Sequence, residues 1–208
     1  MIDAVIFDMD GTLLDTLEDL KESTNFVLAK FGFPVRTKEE IRQFVGDGVR
    51  LLFERAVPSN TNSEIVKECI DVFKKTYSKN MFNHTVPYNG ILKILKELKL
   101  NEVKIGILSN KFDNAVKKMS KKYFDNLIDI SIGQSDKIPK KPSPDGVLKI
   151  MKELKVKNAI FVGDSDVDIL TAHNANIPCI GVSWGYRDNL QGADYIINSP
   201  EEIMQIVF

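Results

Sequence analysis

The chain has 208 residues, 43% of them hydrophobic and 27% charged, with 28 basic against 29 acidic side chains. That is enough for one good core plus a smaller unit, and a formal net charge of −1 supplies no attraction for nucleic acid or an anionic membrane. No apolar run approaches the length of a membrane span, and the two cysteines, Cys69 and Cys179, lack CxxC spacing, as expected in a reducing compartment. A motif starting at Asp8 leaves no room for a signal peptide. The expectation is a cytoplasmic protein, a monomer or weak homodimer, with neither nucleic acid nor membrane as partner.

Residues 2–7 form a short apolar run that reads as a buried parallel strand. It ends in Asp8-Met9-Asp10-Gly11-Thr12. From Asp15 the rhythm turns helical. Leu17, Leu20, Val27 and Phe31 share a face, and Gly32 with Pro34 ends the helix. Thr37 with Glu40 reads as a capping box. Gly46-Asp47-Gly48 is a turn, residues 49–57 resume an apolar pattern, and Ser63 is expected to cap the next helix, with Cys69 on its core face. Residues 16–80 therefore contain helices only.

After Pro87 helix and strand alternate. The predicted strands are 103–108, 127–132, 159–162 and, as the last core strand, 178–182. Between them lie helices beginning near Ile91, Asp113, Asp145 and Ser165, with a final helix start at Ser199-Pro200-Glu201-Glu202. Alternation of this kind implies an α/β fold with a doubly wound parallel sheet. The helical stretch is too long for a crossover and reads as a cap inserted after the first strand. The core is then 1–14 plus 83–208, and the cap 15–82.

Several strands end in polar residues of complementary type: Asp8 and Asp10, then Ser109, then Asp164 with Asp168, while Lys141 lies in a loop. Parallel strand ends face one way, where open sheets bind ligands. Crowded carboxylates need a cation between them. Asp8, Asp10 and Asp164 can offer oxygens to Mg2+, and Ser109 and Lys141 can hold phosphoryl oxygens. Acid, base and nucleophile are available without histidine.

The motifs from Asp8 to Thr16, at Ser109, at Lys141-Pro142 and from Gly163 to Asp168 stand in an order that resembles the haloacid dehalogenase superfamily, in its phosphatase branch with a helical cap. That resemblance implies Asp8 as nucleophile and Asp10 as acid and base. It further implies Mg2+ on Asp8, Asp164 and the Asp10 carbonyl, with Asp168 orienting Lys141 or metal-bound water. Gly11 and Thr12 would bring main-chain N–H groups to the phosphate. The substrate would be a small phosphorylated metabolite, and the activity most like that of phosphoglycolate phosphatases.

Rival readings accompany each assignment. Asn110 competes with Ser109 as the phosphate or substrate contact, and Lys140 with Lys141. Asp166 reads as a first-turn carboxylate, and His84 and His173 match no catalytic position. Packing accounts for Trp184-Gly185-Tyr186 as well as function does. Gly46 and Arg50 are expected to reach the substrate's leaving group, Arg50 as a fork donor to a second anion; a surface arginine is the alternative. A mutase, a pyrophosphatase or nucleotidase, and a binding module on an inactive fold are the competing functions. Asp10 argues against a dehalogenase.

Overall fold

The computed structural model of the protein describes residues 2–208. Two compact units divide the chain. One holds the N-terminal segment through Leu14 and everything from Pro87 to Phe208; the other is Asp15–Val86. The chain passes between them at Leu14–Asp15 (β2) and Val86–Pro87 (β3), which pair as a two-stranded sheet.

The first unit is built on Ala4–Phe7 (β1), in which all four residues are buried. Such a run suits a strand covered on both faces. Lys104–Phe112 (β4) and Ala159–Gly163 (β6) flank it in parallel, with Phe7 level with Ile107 on one side and Val162 on the other. Ile130–Gln134 (β5), Cys179–Val182 (β7) and Tyr195–Ile197 (β8) complete a parallel sheet of order β5-β4-β1-β6-β7-β8. The expected α/β class and parallel sheet are found. On one face Ala4 and Ile6 meet Val147 and Ile150 of Asp145–Leu154 (α7), and Ile169 and Ala172 of Asp166–Asn174 (α8).

The details differ from expectation in four places. The sheet does not end at Val182, because β8 follows; its Tyr195 and Ile196 are exposed, so no buried run announces it. β4 does not stop at Leu108 but continues to Phe112 across a register shift against β5. β5 begins at Ile130 rather than near 127, since Asp125–Leu127 winds into a 3-10 turn. Asn62, not Ser63, caps Ser63–Asn80 (α4): its Oδ1 accepts from Glu64 N–H at 2.8 Å, a role either residue type fills.

The second unit contains Leu17–Lys30 (α1), Lys38–Phe44 (α2), Val49–Ala56 (α3) and α4. Thr37 and Glu40 form the expected capping box. Phe53 packs edge-on to Phe73, and Phe73 stacks on Tyr77 at 5.3 Å, with Cys69 fully buried. Asp19 is buried on α1, where its carboxylate accepts hydrogen bonds from the main-chain N–H groups of His84 and Thr85 and from the Thr85 hydroxyl.

Candidate active site

Neighbouring parallel strands deliver the polar residues. Asp8 follows the last residue of β1 and donates its N–H to Val162 at 2.9 Å. Asp164 follows β6, and Ser109 lies in the stretch of β4 between Leu108 and Phe112 where the register against β5 shifts. Bulges of this kind re-aim side chains at sheet ends. Asp8, Ser109, Asn110, Lys111, Lys141, Asp164 and Asp168 are all nine-tenths or more buried.

Lys141 is the centre of the arrangement. Its Nζ donates to Asp168 Oδ1 at 2.6 Å and pairs with Asp8 Oδ1 at 2.8 Å. It also sits 5.6 Å above the Phe161 ring centroid. Asn110 grips the main chain of the same residue: Lys141 N–H donates to Asn110 Oδ1 at 2.8 Å, and Asn110 Nδ2 donates to the Lys141 carbonyl at 3.2 Å. Pro142 follows in a cis peptide. Asp168 is held in turn at the start of α8, where its Oδ2 accepts from the Ser165 hydroxyl at 2.6 Å and the Ser165 N–H at 3.1 Å. Ser165 and Asp168 thus form a capping box whose carboxylate also reaches the lysine.

Asp10 pairs with a second lysine. Both its oxygens stand 2.9 Å from Lys111 Nζ, and the Lys111 side chain is only 4% exposed. Ser109 Oγ accepts from Lys111 N–H at 3.2 Å. Gly11 takes φ +85°, open to glycine at little cost, while Thr12 Oγ1 donates to Asp164 Oδ1 at 3.2 Å. Asp164 Oδ2 accepts from Tyr186 N–H at 2.6 Å.

Three carboxylates, those of Asp8, Asp164 and Asp168, bring oxygens within 4.8 Å of one another against the single ammonium of Lys141. Burial and crowding together shift the acidities of Asp8 and Asp164. Burial pushes the Asp8 carboxyl up to about 8; Lys141 opposes the shift, while Asp168 and Asp164 add to it. Burial likewise raises Asp164 to about 7, reinforced by Asp168. Burial alone would lower Lys141, but Asp168 and Asp8 outweigh it and hold the ammonium above its ordinary range. Asp8 Oδ1 meets the lysine off the hydrogen-bonding direction and accepts no hydrogen bond among the described residues. A buried, all-oxygen set with an unsatisfied oxygen and surplus negative charge fits a hard divalent cation. Asp168 has both oxygens engaged and fits the role of anchor for Lys141.

The second unit places Gly46 and Gly48 at φ +109° and +90°, with Gly48 opening α3. Arg50 is exposed and pairs with Glu54 Oε1 at 2.7 Å. Sequence reasoning missed Lys111 as the partner of Asp10, although a lysine beside Ser109-Asn110 was a signal. It also missed Ser165, legible in the Ser-x-x-Asp spacing of a capping box. The grip of Asn110 on Lys141 left no signal.

A buried lysine that bridges Asp8, just past the end of β1, and Asp168, in the first turn of the helix after the neighbouring strand β6, beside an Asp-x-Asp turn, defines a class. The chain belongs to the haloacid dehalogenase-like hydrolases, whose family model matches residues 5–182, and is therefore an enzyme. Within that family it is 31% identical to the phosphoglycolate phosphatase of Aquifex aeolicus, over 98% of this chain and 95% of that one. It is 35% identical to the phosphoglycolate phosphatase of Psychrobacter arcticus, over 88% and 84%. The crystal structure of a Lactobacillus delbrueckii subsp. bulgaricus protein, a candidate phosphoglycolate phosphatase, superposes with a TM-score of 0.93 at 31% identity, covering 99% of this chain and 98% of that one. Among the described residues no helix is long and apolar enough to cross a membrane.

Proposed function

We propose that the protein is a Mg2+-dependent phosphatase that hydrolyses a small organic phosphate monoester, with phosphoglycolate the leading candidate, through a phosphorylated Asp8. The observation that carries this reading is Lys141 held between Asp8 and Asp168, because one ammonium then steadies a nucleophilic carboxylate and faces the phosphoryl group that approaches it. The phosphoglycolate phosphatase relatives support the substrate class.

In the first half of the reaction an Asp8 oxygen attacks phosphorus in line. The bond from phosphorus to the leaving oxygen breaks, and Asp10 gives that oxygen its proton. In the second half water attacks phosphorus and loses its proton to Asp10, and the Asp8–phosphorus bond breaks to release phosphate. Lys141 and Ser109 hold the phosphoryl oxygens, and Asn110 and Asp168 keep Lys141 in place; the N–H groups of Gly11 and Thr12, expected at the phosphate, instead donate to the Leu14 and Met9 carbonyls and shape the turn after Asp8. Asp8, Asp164 and the Asp10 carbonyl would hold the cation. When bound, it shields the phosphoryl charge from the carboxylates. Gly46 and Arg50 are assigned to recognising the part of the substrate beyond the phosphoryl group, since an exposed guanidinium suits a carboxylate.

Turnover of p-nitrophenyl phosphate tests the reading. It should disappear in EDTA and return with Mg2+; full activity in excess chelator would overturn it. A panel of small phosphorylated metabolites then ranks the substrates.

A further inference from the structure

Trp184, Gly185 and Tyr186 follow β7 and enter no step of that reaction, yet each is tied to its machinery. Tyr186 N–H donates to Asp164 Oδ2 at 2.6 Å. The Trp184 indole N–H donates to the Thr12 carbonyl at 3.1 Å, and Thr12 Oγ1 returns to Asp164 Oδ1 at 3.2 Å. One short loop therefore fixes the Asp164 carboxylate at one oxygen directly and at the other through Thr12. Between the two anchors the backbone presses on the same side chain. A Cβ on Gly185 would stand 2.1 Å from Asp164 Cβ and 2.6 Å from its Cγ. Gly11 makes a second close approach, where a Cβ would come within 2.5 Å of Asp164 Oδ2. Packing does not account for this arrangement, because the Trp184 ring is only partly buried and its polar atom is the part engaged.

We propose that Trp184-Gly185-Tyr186 is a positioning loop that presets Asp164 for the divalent cation and ties it to the turn at Gly11 and Thr12 that follows Asp8 and Asp10. The inference rests on the phosphatase reading. A carboxylate already confined to one rotamer loses less freedom when it takes a cation, and groups behind a metal ligand commonly govern affinity for that reason. Thr12 is the shared part: its N–H donates to the Met9 carbonyl at 3.4 Å within the turn that follows Asp8, its hydroxyl steadies Asp164, and its carbonyl is held by the only tryptophan in the chain.

The test is calorimetric titration of Mg2+ into the full chain without substrate, comparing the parent protein with Trp184→Phe, Gly185→Ala and Asp164→Ala. Trp184→Phe keeps an aromatic ring and removes the indole N–H together with part of the bicycle, at a side chain that is only partly buried. Both loop variants should bind Mg2+ about ten- to a hundredfold more weakly, the range typical of residues behind a metal ligand. At saturating Mg2+ their kcat should recover toward the parent value. A loop that merely packs would lower kcat at every Mg2+ concentration and leave the affinity within about twofold; that result overturns the inference. Should Gly185→Ala fail to fold by circular dichroism, Trp184→Phe decides alone. A parent protein that takes up no Mg2+, or an Asp164→Ala variant that binds it equally well, overturns the phosphatase reading together with this one. Parent-like binding in the loop variants beside a cation-binding parent overturns the loop inference only.

Discussion

At Asp8 the needs of chemistry and of folding conflict. The carboxylate is buried, one of its oxygens accepts no hydrogen bond among the described residues, and burial raises its pKa to about 8. Asp8→Asn keeps the shape and removes a charge from a crowded cluster, so the metal-free variant should unfold at the same or a higher urea concentration. Its turnover should fall by on the order of a thousandfold or more, as when a nucleophile is lost; a tenth of parental activity would remove Asp8 from that role. The same acidities set a pH dependence. Asp8 and Asp164 rise from an ordinary 3.8 to about 8 and about 7, so between these limits the folded chain binds protons that the unfolded chain does not. Their contribution to stability is complete below about pH 4 and is lost as pH climbs through about 7 and about 8. The slope is at most about 1.4 kcal/mol per pH unit for each group. Urea unfolding in EDTA should give a lower midpoint at pH 8 than at pH 5, and saturating Mg2+, which favours the ionised carboxylates, should reverse that order.

At the scale of elements, α8 shows how a helix start places a reacting group. Ser165→Ala removes the cap and costs about 1 kcal/mol of stability. Because Ser165 also steadies the carboxylate that anchors Lys141, the variant should bind vanadate, a phosphate analogue, several-fold more weakly. A change in stability with unaltered vanadate affinity would separate the two roles. The strands that build this site were legible where burial is continuous: β1 and β6 are wholly buried, so an apolar run ending in aspartate marks them. β8 was not, since its exposed edge carries no such run. Nor was the extension of β4, because Ser109-Asn110-Lys111 is polar sequence whose strand pairing with Phe112 beyond depends on β5. For the site the same division holds. Residue types at strand ends announced Asp8, Ser109 and Asp164. Side chains that act on a distant backbone, such as Asn110 on Lys141 and Trp184 on Thr12, depend on the folded chain and leave no periodicity to read.

At the scale of the whole molecule, the helical unit is where substrate selection is expected to reside. Arg50→Ala should raise KM several-fold for a phosphate ester bearing a carboxylate while barely changing hydrolysis of p-nitrophenyl phosphate, which lacks that anion. Equal losses on both substrates would mean that Arg50 serves the helical unit's own structure through Glu54. The double duty of Asp168 has a further consequence, for descent. Drift that abolishes catalysis meets least resistance at Asp8, where replacement relieves an unsatisfied buried carboxylate, and most at Asp168, whose loss also breaks the capping box of α8. Inactive descendants of such a chain should therefore preserve the Ser165-to-Asp168 segment intact long after the nucleophile has gone. Persistence of that segment in a genome records an inherited fold, and the residue at the position of Asp8 reveals whether an enzyme is still there.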